Sequence, residues 1–135
     1  MVSLIADKNV EGQLGALLAV LEGEEWADLW ARLSVGVQTF AALGLVPNAP
    51  DVDVWTKCQE GALILITANR SARGDDSLEA VIRLQNLPHH LPVITIGDPE
   101  RLGNDRLYTE QAAVRLFEIL LDLDNLRGTG RLYVP

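Results

Sequence analysis

Short, continuous runs of apolar residues limit the fold of this chain more than any other feature of its sequence. Leu63 to Ile66 and Val93 to Ile96 each consist of four residues that are apolar or β-branched. Runs of this length without polar alternation are typical of strands in a parallel sheet, because such strands are buried on both faces. They predict a central sheet that is covered by helices on both sides.

Helical segments separate these runs and are long enough to carry the chain from one parallel strand to the next. Between Leu14 and Leu21, leucines recur at the i, i+3, i+4, i+7 spacing of one buried helix face, and the spacing repeats from Trp26 to Leu33. Asp51 is predicted to cap a third helix that ends at a left-handed Gly61, and Asp76 to open a fourth. A last helix runs from near Thr109 to about residue 124. The predicted strands cover 3–6, 35–40, 63–67 and 93–96, with 131–134 either a fifth strand or a loose tail.

The alternation of strands and helices predicts the topology as well as the fold class. Right-handed crossovers bring the first strand into the middle of the sheet and favour the strand order 2-1-3-4 or a close variant. We therefore predict a single α/β domain over residues 1–135, a three-layer sandwich with a mainly parallel sheet of four to five strands.

Composition excludes several other classes of protein and site. One cysteine, Cys58, allows neither an internal disulfide framework nor a thiolate zinc cage. The longest apolar runs are far shorter than the roughly 18 residues of a membrane span, and no basic-then-apolar leader opens the chain. We expect a cytoplasmic protein without a membrane partner. Its net charge of −8 repels nucleic acid at long range, so contact with a polyanion has to be local and metal-mediated.

Acidic residues follow the predicted strands or open the helices that start at the carboxyl edge of the sheet. Ligands of doubly wound sheets bind beyond that edge, where the winding direction reverses. Each acid alone is also explained as a cap, a turn residue or a partner of the helix dipole, so their shared edge carries the argument. The acids predicted to converge are Asp7, Asp53, Asp75, Asp76 and Asp98.

Clustered carboxylates repel one another unless a cation lies between them. An all-oxygen ligand set favours Mg²⁺ or Mn²⁺, which can activate water against a phosphodiester. Thr67 and Asn69, at the end of the third strand, are predicted to orient substrate or bound water. Lys8, Arg70 and Arg73 beside the same edge are predicted to contact phosphates.

Other residues that chemistry often uses are better explained here by structure. Cys58 lies on an apolar helix face and is predicted to be a small buried hydrophobe. His89 and His90 precede a strand at the opposite edge of the sheet and are predicted to lie in an exposed loop. Trp26 and Trp30 are spaced as core residues, or as a partner surface if exposed, and the apolar last helix suggests a homodimer contact.

Three segments stand in a characteristic order: Leu4-Ile5-Ala6-Asp7-Lys8-Asn9, Asp53-Val54-Trp55-Thr56-Lys57-Cys58 and Gly61 to Arg70. Together they resemble the PIN-like nuclease domains, in particular a small prokaryotic group. The resemblance covers about the first 100 residues and rests on the order and spacing of the segments. It implies a Mg²⁺- or Mn²⁺-dependent ribonuclease that is often paired with an antitoxin. Asp7 would be the first metal ligand, Asp53 a second, and Asn69 stands where the family usually has another aspartate.

Two departures from the pattern leave the function open between alternatives. Lys8 replaces the glutamate of the opening triplet, and Asn69 removes a negative charge from the implied metal site. Asp75 or Asp76 compensates in an active nuclease; otherwise the chain is a catalytically inactive PIN-like module that acts through protein–protein contacts. A receiver-like or nucleotide-binding domain is a third alternative. The chain, however, lacks the paired acids of the receiver class and the glycine loop of the nucleotide-binding class.

Overall fold

Five parallel strands form one sheet in the part of the chain that the structure describes. The structure is a computed structural model and describes residues 2–70, 74 and 77–135. The strand order is β2-β1-β3-β4-β5, which confirms the predicted α/β class and the central place of the first strand. Residues 131–134 form an edge strand, and the second strand is shorter than predicted. The strands are β1 (Ser3–Ala6), β2 (Gly36–Gln38), β3 (Leu63–Thr67), β4 (Val93–Ile96) and β5 (Arg131–Val134).

Helices connect the strands and cover both faces of the sheet. Two short 3₁₀ helices, Lys8–Val10 and Ala41–Leu43, follow β1 and β2. The α-helices are α1 (Glu11–Leu21), α2 (Ala27–Leu33), α3 (Asp51–Glu60), α4 (Leu78–Gln85), α5 (Arg106–Leu121) and α6 (Leu123–Leu126).

Alternate residues of the central strands build two separate apolar layers. Ile64 and Ile66 of β3 face one layer, in which they pack with α1 and α5. Leu63 and Leu65 face the other layer, which contains residues of α3 and α4. Because successive side chains of a strand point to opposite faces, every residue of β3 is buried. These layers confirm the three-layer sandwich.

The ends of α3 differ from the prediction in two respects. Pro50 is the residue before the helix, and Asp51 is already its first helical residue, so Asp51 is not the cap. Gly61 has a φ of −97° and is not left-handed. The left-handed residue is Ala62, with a φ of 54°, one position later. The chain turns there directly into β3.

Two further helices begin after capping residues that the sequence does not predict. Asp105 caps α5, since its side chain accepts a hydrogen bond from the Tyr108 N–H at 3.1 Å. Thr109 is therefore not the cap but a buried residue inside the helix. Ser77 caps α4 by accepting from the Ala80 N–H, and the predicted opening residue Asp76 lies outside the described residues.

Several predictions about residues outside the candidate site are confirmed. Cys58 is 2% exposed, and burial raises the pKa of its thiol to about 12, as expected for a small core residue. Trp30 is buried, and Trp26 packs against Phe117 with ring centroids 5.3 Å apart. His89 is exposed at the amino edge of the sheet, as predicted, whereas the prediction is wrong for His90, which is half-buried because its ring packs against Trp55. None of the helices in the described part of the chain combines the length and the apolar character that crossing a membrane requires.

Candidate functional site

Asp7 and Thr67 lie side by side at the carboxyl ends of the two central strands. Ala6 of β1 pairs with Ile66 of β3, and the Asp7 N–H donates to the Ile66 carbonyl at 2.9 Å. From β1 the chain continues to the edge strand β2, whereas β3 lies on the other side of β1. This is the point of a doubly wound sheet where the winding direction reverses and where ligands bind.

The Asp7 carboxylate is held by two neutral donors. Its Oδ2 accepts from the Thr67 hydroxyl at 3.1 Å, and its Oδ1 accepts from the Asn9 N–H at 3.2 Å. The second bond caps the short 3₁₀ helix that begins at Lys8. Asp7 is therefore a structural cap whose carboxylate also borders the cavity described below.

Thr67 and Asn69 link this carboxylate to a second one. The Thr67 hydroxyl, on a fully buried side chain, accepts from the Asn69 N–H at 3.0 Å while it donates to Asp7. The Asn69 side-chain amide donates from Nδ2 to Oδ2 of Asp51 at 3.3 Å. A continuous chain of hydrogen bonds thus runs from Asp7 through the end of β3 to the start of α3.

These side chains line a cavity of about 210 Å³. The polar wall of the cavity is supplied by Asp7, Asn9, Asp51, Thr67 and Asn69. The apolar wall comes from the sheet and α3 and from the segment between β2 and α3; it includes Phe40, Pro47, Ala49, Val54 and Leu65. A larger groove of about 610 Å³ lies elsewhere, between α1 and the start of α5, and contains none of the predicted site residues.

The predicted second metal ligand, Asp53, does not reach this cavity. Asp53 is exposed, whereas Asp51 is half-buried and lines the cavity. Two positions along an α-helix correspond to a rotation of about 200°, so the two carboxylates point to opposite sides of α3. The pattern of α3 contains the signal that identifies Asp51, because it precedes the buried Val54, Trp55 and Cys58 at the spacing of one inward stripe.

The other predicted site residues divide into three groups. Asp98 follows β4 at the same edge, but its carboxylate accepts from the Arg101 N–H at 3.3 Å and does not line the cavity. Lys8 and Arg70 are exposed and adjoin Asp7 and Asn69 in sequence. Arg73, Asp75 and Asp76 lie outside the described residues. Among residues 2–70, 74 and 77–135, no three His, Cys, Asp or Glu side chains form a group that could hold a metal ion.

The donor set of the cavity fits a hydrated hard cation. It combines the carboxylates of Asp7 and Asp51 with the polar side chains of Thr67 and Asn69. Mg²⁺ is usually bound by one or two carboxylates while it keeps several waters, and a water takes about 30 Å³ of liquid volume. Two carboxylates in a cavity of about 210 Å³ match that mode of binding, although not the larger acidic cluster that the sequence predicts.

Comparison with known proteins leaves the chain without an assigned family. No protein-family model, no curated protein and no solved structure matches it.

Sequence reasoning missed three residues of this region or gave them another role. The sequence predicts Asp51 only as a helix cap and predicts no separate role for Asn9. Arg131 was part of a segment with no assigned role, yet its guanidinium donates to the Asn69 carbonyl at 2.8 Å. Its burial follows from the position of β5 beside β4, which the sequence left open.

Proposed function

We propose that the cavity at the end of β1 and β3 binds Mg²⁺ or Mn²⁺ and that the protein is a divalent-metal-dependent ribonuclease of PIN-like type. The observation that carries the proposal is the convergence of Asp7 and Asp51, from distant parts of the chain, on one polar cavity at the switch point of the sheet. The order of elements in the first 67 residues, strand, two helices, strand, helix and strand, agrees with the resemblance on which the family proposal rests.

Each side chain of the cavity has a role in this proposal. The bound ion would supply Lewis-acid activation of water and compensation of the charge that develops on the phosphate. Asp7 and Asp51 would hold it, while Thr67 and Asn69 fix the positions of the two carboxylates through their hydrogen bonds. The exposed cations Lys8 and Arg70 would contact the RNA backbone, since they adjoin the cavity residues in sequence.

Asp51 and Asp53, of which only the first lines the cavity, form a matched pair on α3 for testing metal binding. In a thermal unfolding titration, Mn²⁺ should raise the Tm of the wild type, because a ligand at 100 times its Kd stabilises the folded state by about 2.7 kcal/mol. Asp7→Asn and Asp51→Asn should abolish the rise. Asp53→Asn should keep it, because Asp53 is exposed outside the cavity. An equal loss in Asp51→Asn and Asp53→Asn would contradict the assignment.

Cleavage of RNA is tested with the same variants. A labelled single-stranded RNA should be cut in the presence of Mn²⁺ and stay intact with EDTA, and Asp51→Asn should be inactive under conditions in which Asp53→Asn is active. A wild type that is folded, binds Mn²⁺ and leaves every RNA intact would restrict the proposal to metal binding.

The catalytically inactive PIN-like module is the second candidate. Asn69 favours it, because a neutral amide bridges to Asp51 at the position where the resemblance leads us to expect an acid. With Asp53 outside the cavity, two carboxylates from the described residues line it. A wild type whose Tm is unchanged at millimolar Mn²⁺ would support this module over the nuclease. The antitoxin or other protein partner stays a prediction under both candidates.

A further inference from the structure

A buried arginine on the last strand lies next to the candidate site without lining its cavity. Arg131 is the first residue of the edge strand β5, and its side chain is 7% exposed. Its register partner on β4 is Val93, so the side chain begins near the amino edge of the sheet. It extends on the α4 side towards the carboxyl edge, where Thr95 and Asn69 accept its hydrogen bonds.

The guanidinium of Arg131 joins three structural elements. Nη1 donates to the Asn69 carbonyl after β3 at 2.8 Å and to the Thr95 hydroxyl of β4 at 2.6 Å. Nε donates to Oε2 of Glu79, in the first turn of α4, at 3.0 Å, and Nη2 lies 2.9 Å from the same oxygen. A planar fork of donors can satisfy several acceptors in fixed directions, which a lysine ammonium on a flexible stem cannot reproduce.

The contact with Asn69 connects this network to the cavity. Three groups of Asn69 are bonded in different directions: its carbonyl to Arg131, its N–H to the Thr67 hydroxyl, and its side-chain amide to Asp51. Without Arg131 the carbonyl would lose a charged donor. The backbone at Asn69 would then be held less firmly. Its N–H and its side-chain amide, which donate to Thr67 and Asp51, could shift with it.

We propose that Arg131 is a positioning residue: by holding the Asn69 carbonyl, it fixes Asn69 after the end of β3 and so keeps this residue aligned with Thr67 and Asp51. The part of this inference that concerns the affinity for Mn²⁺ rests on the proposed function. Residues that orient metal ligands from behind typically change metal affinity by about 10- to 100-fold when they are replaced. Arg131 would thus make β5 a determinant of a site that is formed by the ends of β1 and β3 and the start of α3.

The test compares Arg131→Lys and Arg131→Met with a control in the same part of the chain. Arg131→Lys keeps the charge beside Glu79 but cannot reproduce the fork that reaches both Asn69 and Thr95. The control is Arg127→Met, because Arg127 contacts the His89 carbonyl, at 3.0 Å, at the opposite edge of the sheet. Metal-free amide exchange of Asn69 is measured by NMR, with the amides of β3 and β4 as a check that the sheet is intact.

Both Arg131 variants should accelerate Asn69 exchange by roughly tenfold, as expected when a hydrogen bond to a charged donor is lost. They should also weaken Mn²⁺ binding by about tenfold or more. Arg127→Met should change neither quantity. If Arg131→Met does not fold, Arg131→Lys decides the question.

Unchanged Asn69 exchange in the folded Arg131 variants would overturn the inference, whatever happens to the metal. Faster exchange with unaltered Mn²⁺ affinity would also overturn it, since Arg131 would then stabilise Asn69 without positioning the site. A wild type that binds no Mn²⁺ would refute the proposed function instead, and the exchange of Asn69 would still decide whether Arg131 fixes this residue.

Discussion

At the scale of single residues, the hydroxyl of Thr67 connects two residues of the candidate site, Asp7 and Asn69. It donates to Asp7 and accepts from the Asn69 N–H, and its side chain is fully buried. A buried group of this kind is costly to remove, because both partners lose their hydrogen bonds in a place that water reaches poorly. It is also the group through which the ends of β1 and β3 are joined by side chains.

Replacing Thr67 with valine keeps the shape of the side chain and removes both hydrogen bonds. We expect Thr67→Val to lower the free energy of unfolding by about 1–3 kcal/mol, measured by urea denaturation. The Mn²⁺ response should weaken in the same variant. Thr56→Val, a substitution on α3 outside the cavity, serves as the control. Equal stability of the two variants would show that the Thr67 bonds contribute nothing.

His90 gives the protein a predictable dependence on pH. Its Nδ1 accepts from the Leu87 N–H at 2.9 Å, and its ring lies edge-on to Trp55 with centroids 4.9 Å apart. Burial, and then repulsion from His89, lower the pKa of His90 from its ordinary value of 6.5. The folded state therefore favours the neutral ring. This contribution to stability is present above pH 6.5 and is lost as the pH falls through that value towards the lowered pKa.

Stability should accordingly decline between pH 7 and pH 5. The free energy of unfolding, measured by urea denaturation across this range, should fall less steeply in His90→Gln than in the wild type. His89→Gln should retain most of the slope, because His89 has no bond equivalent to that of His90 with Leu87. Identical slopes in His90→Gln and the wild type would refute this role of His90.

At the scale of elements, the approach of β5 to α4 depends on one glycine. Gly130 has a φ of 82°, and a Cβ at this position would lie 2.9 Å from Cγ2 of Ile82. Gly44 also has a positive φ, of 74°, but apart from its two chain neighbours no described residue has an atom within 4 Å of the place where its Cβ would stand. The two glycines therefore separate backbone strain from steric conflict.

Gly130→Ala should be more destabilising than Gly44→Ala. Both variants incur the strain of a left-handed alanine, but only Gly130→Ala also forces side chains apart, which typically costs about 1–3 kcal/mol. The difference between their Tm values measures this steric part. Because Gly130 precedes Arg131, we also expect faster Asn69 exchange in Gly130→Ala alone. Equal Tm values would mean that Ile82 moves away without cost.

The elements differ in how well the sequence predicts them. β3 and β4 were predicted with their observed bounds, because a continuous apolar run has a single explanation once helices flank it. Helix starts were less predictable, since Asp105, Ser77 and Pro50 compete with neighbouring polar residues for the cap position. The prediction of Asp53 rather than Asp51 as a site residue is wrong for another reason. Residue spacing gives the order of acids along a helix, but burial decides which of them faces inward.

The candidate site was predictable at the scale of the sheet and less so at the scale of side chains. Topology alone brings Asp7, Thr67 and Asn69 to one edge, and the structure confirms that they meet. Arg131 could not be assigned from the sequence, because its contacts with Asn69, Thr95 and Glu79 span 62, 36 and 52 residues. Such distant contacts depend on the register of an edge strand, which local patterns do not fix.

At the scale of the whole molecule, two exposed leucines on α5 support the prediction of a homodimer. The side chains of Leu107 and Leu121 on α5 are 64% and 66% exposed, while most other apolar residues of this helix are buried. Sedimentation analysis should give twice the chain mass of 14.8 kDa for the wild type. The double variant Leu107→Lys, Leu121→Lys should sediment as a monomer. A wild type that sediments at 14.8 kDa would contradict the prediction.

The reach of Arg131 across the molecule also has a consequence for protein synthesis. The Asn69 carbonyl leaves the ribosome 62 residues ahead of the guanidinium that binds it. At a translation rate of about 5–20 residues per second, the interval is about 3–12 s. Throughout that time a nascent chain already contains Asp7, Asp51 and Thr67 but lacks the arginine that donates to the Asn69 carbonyl. The candidate site would therefore be complete only after Arg131 has been made and β5 has added to the edge of the sheet beside β4.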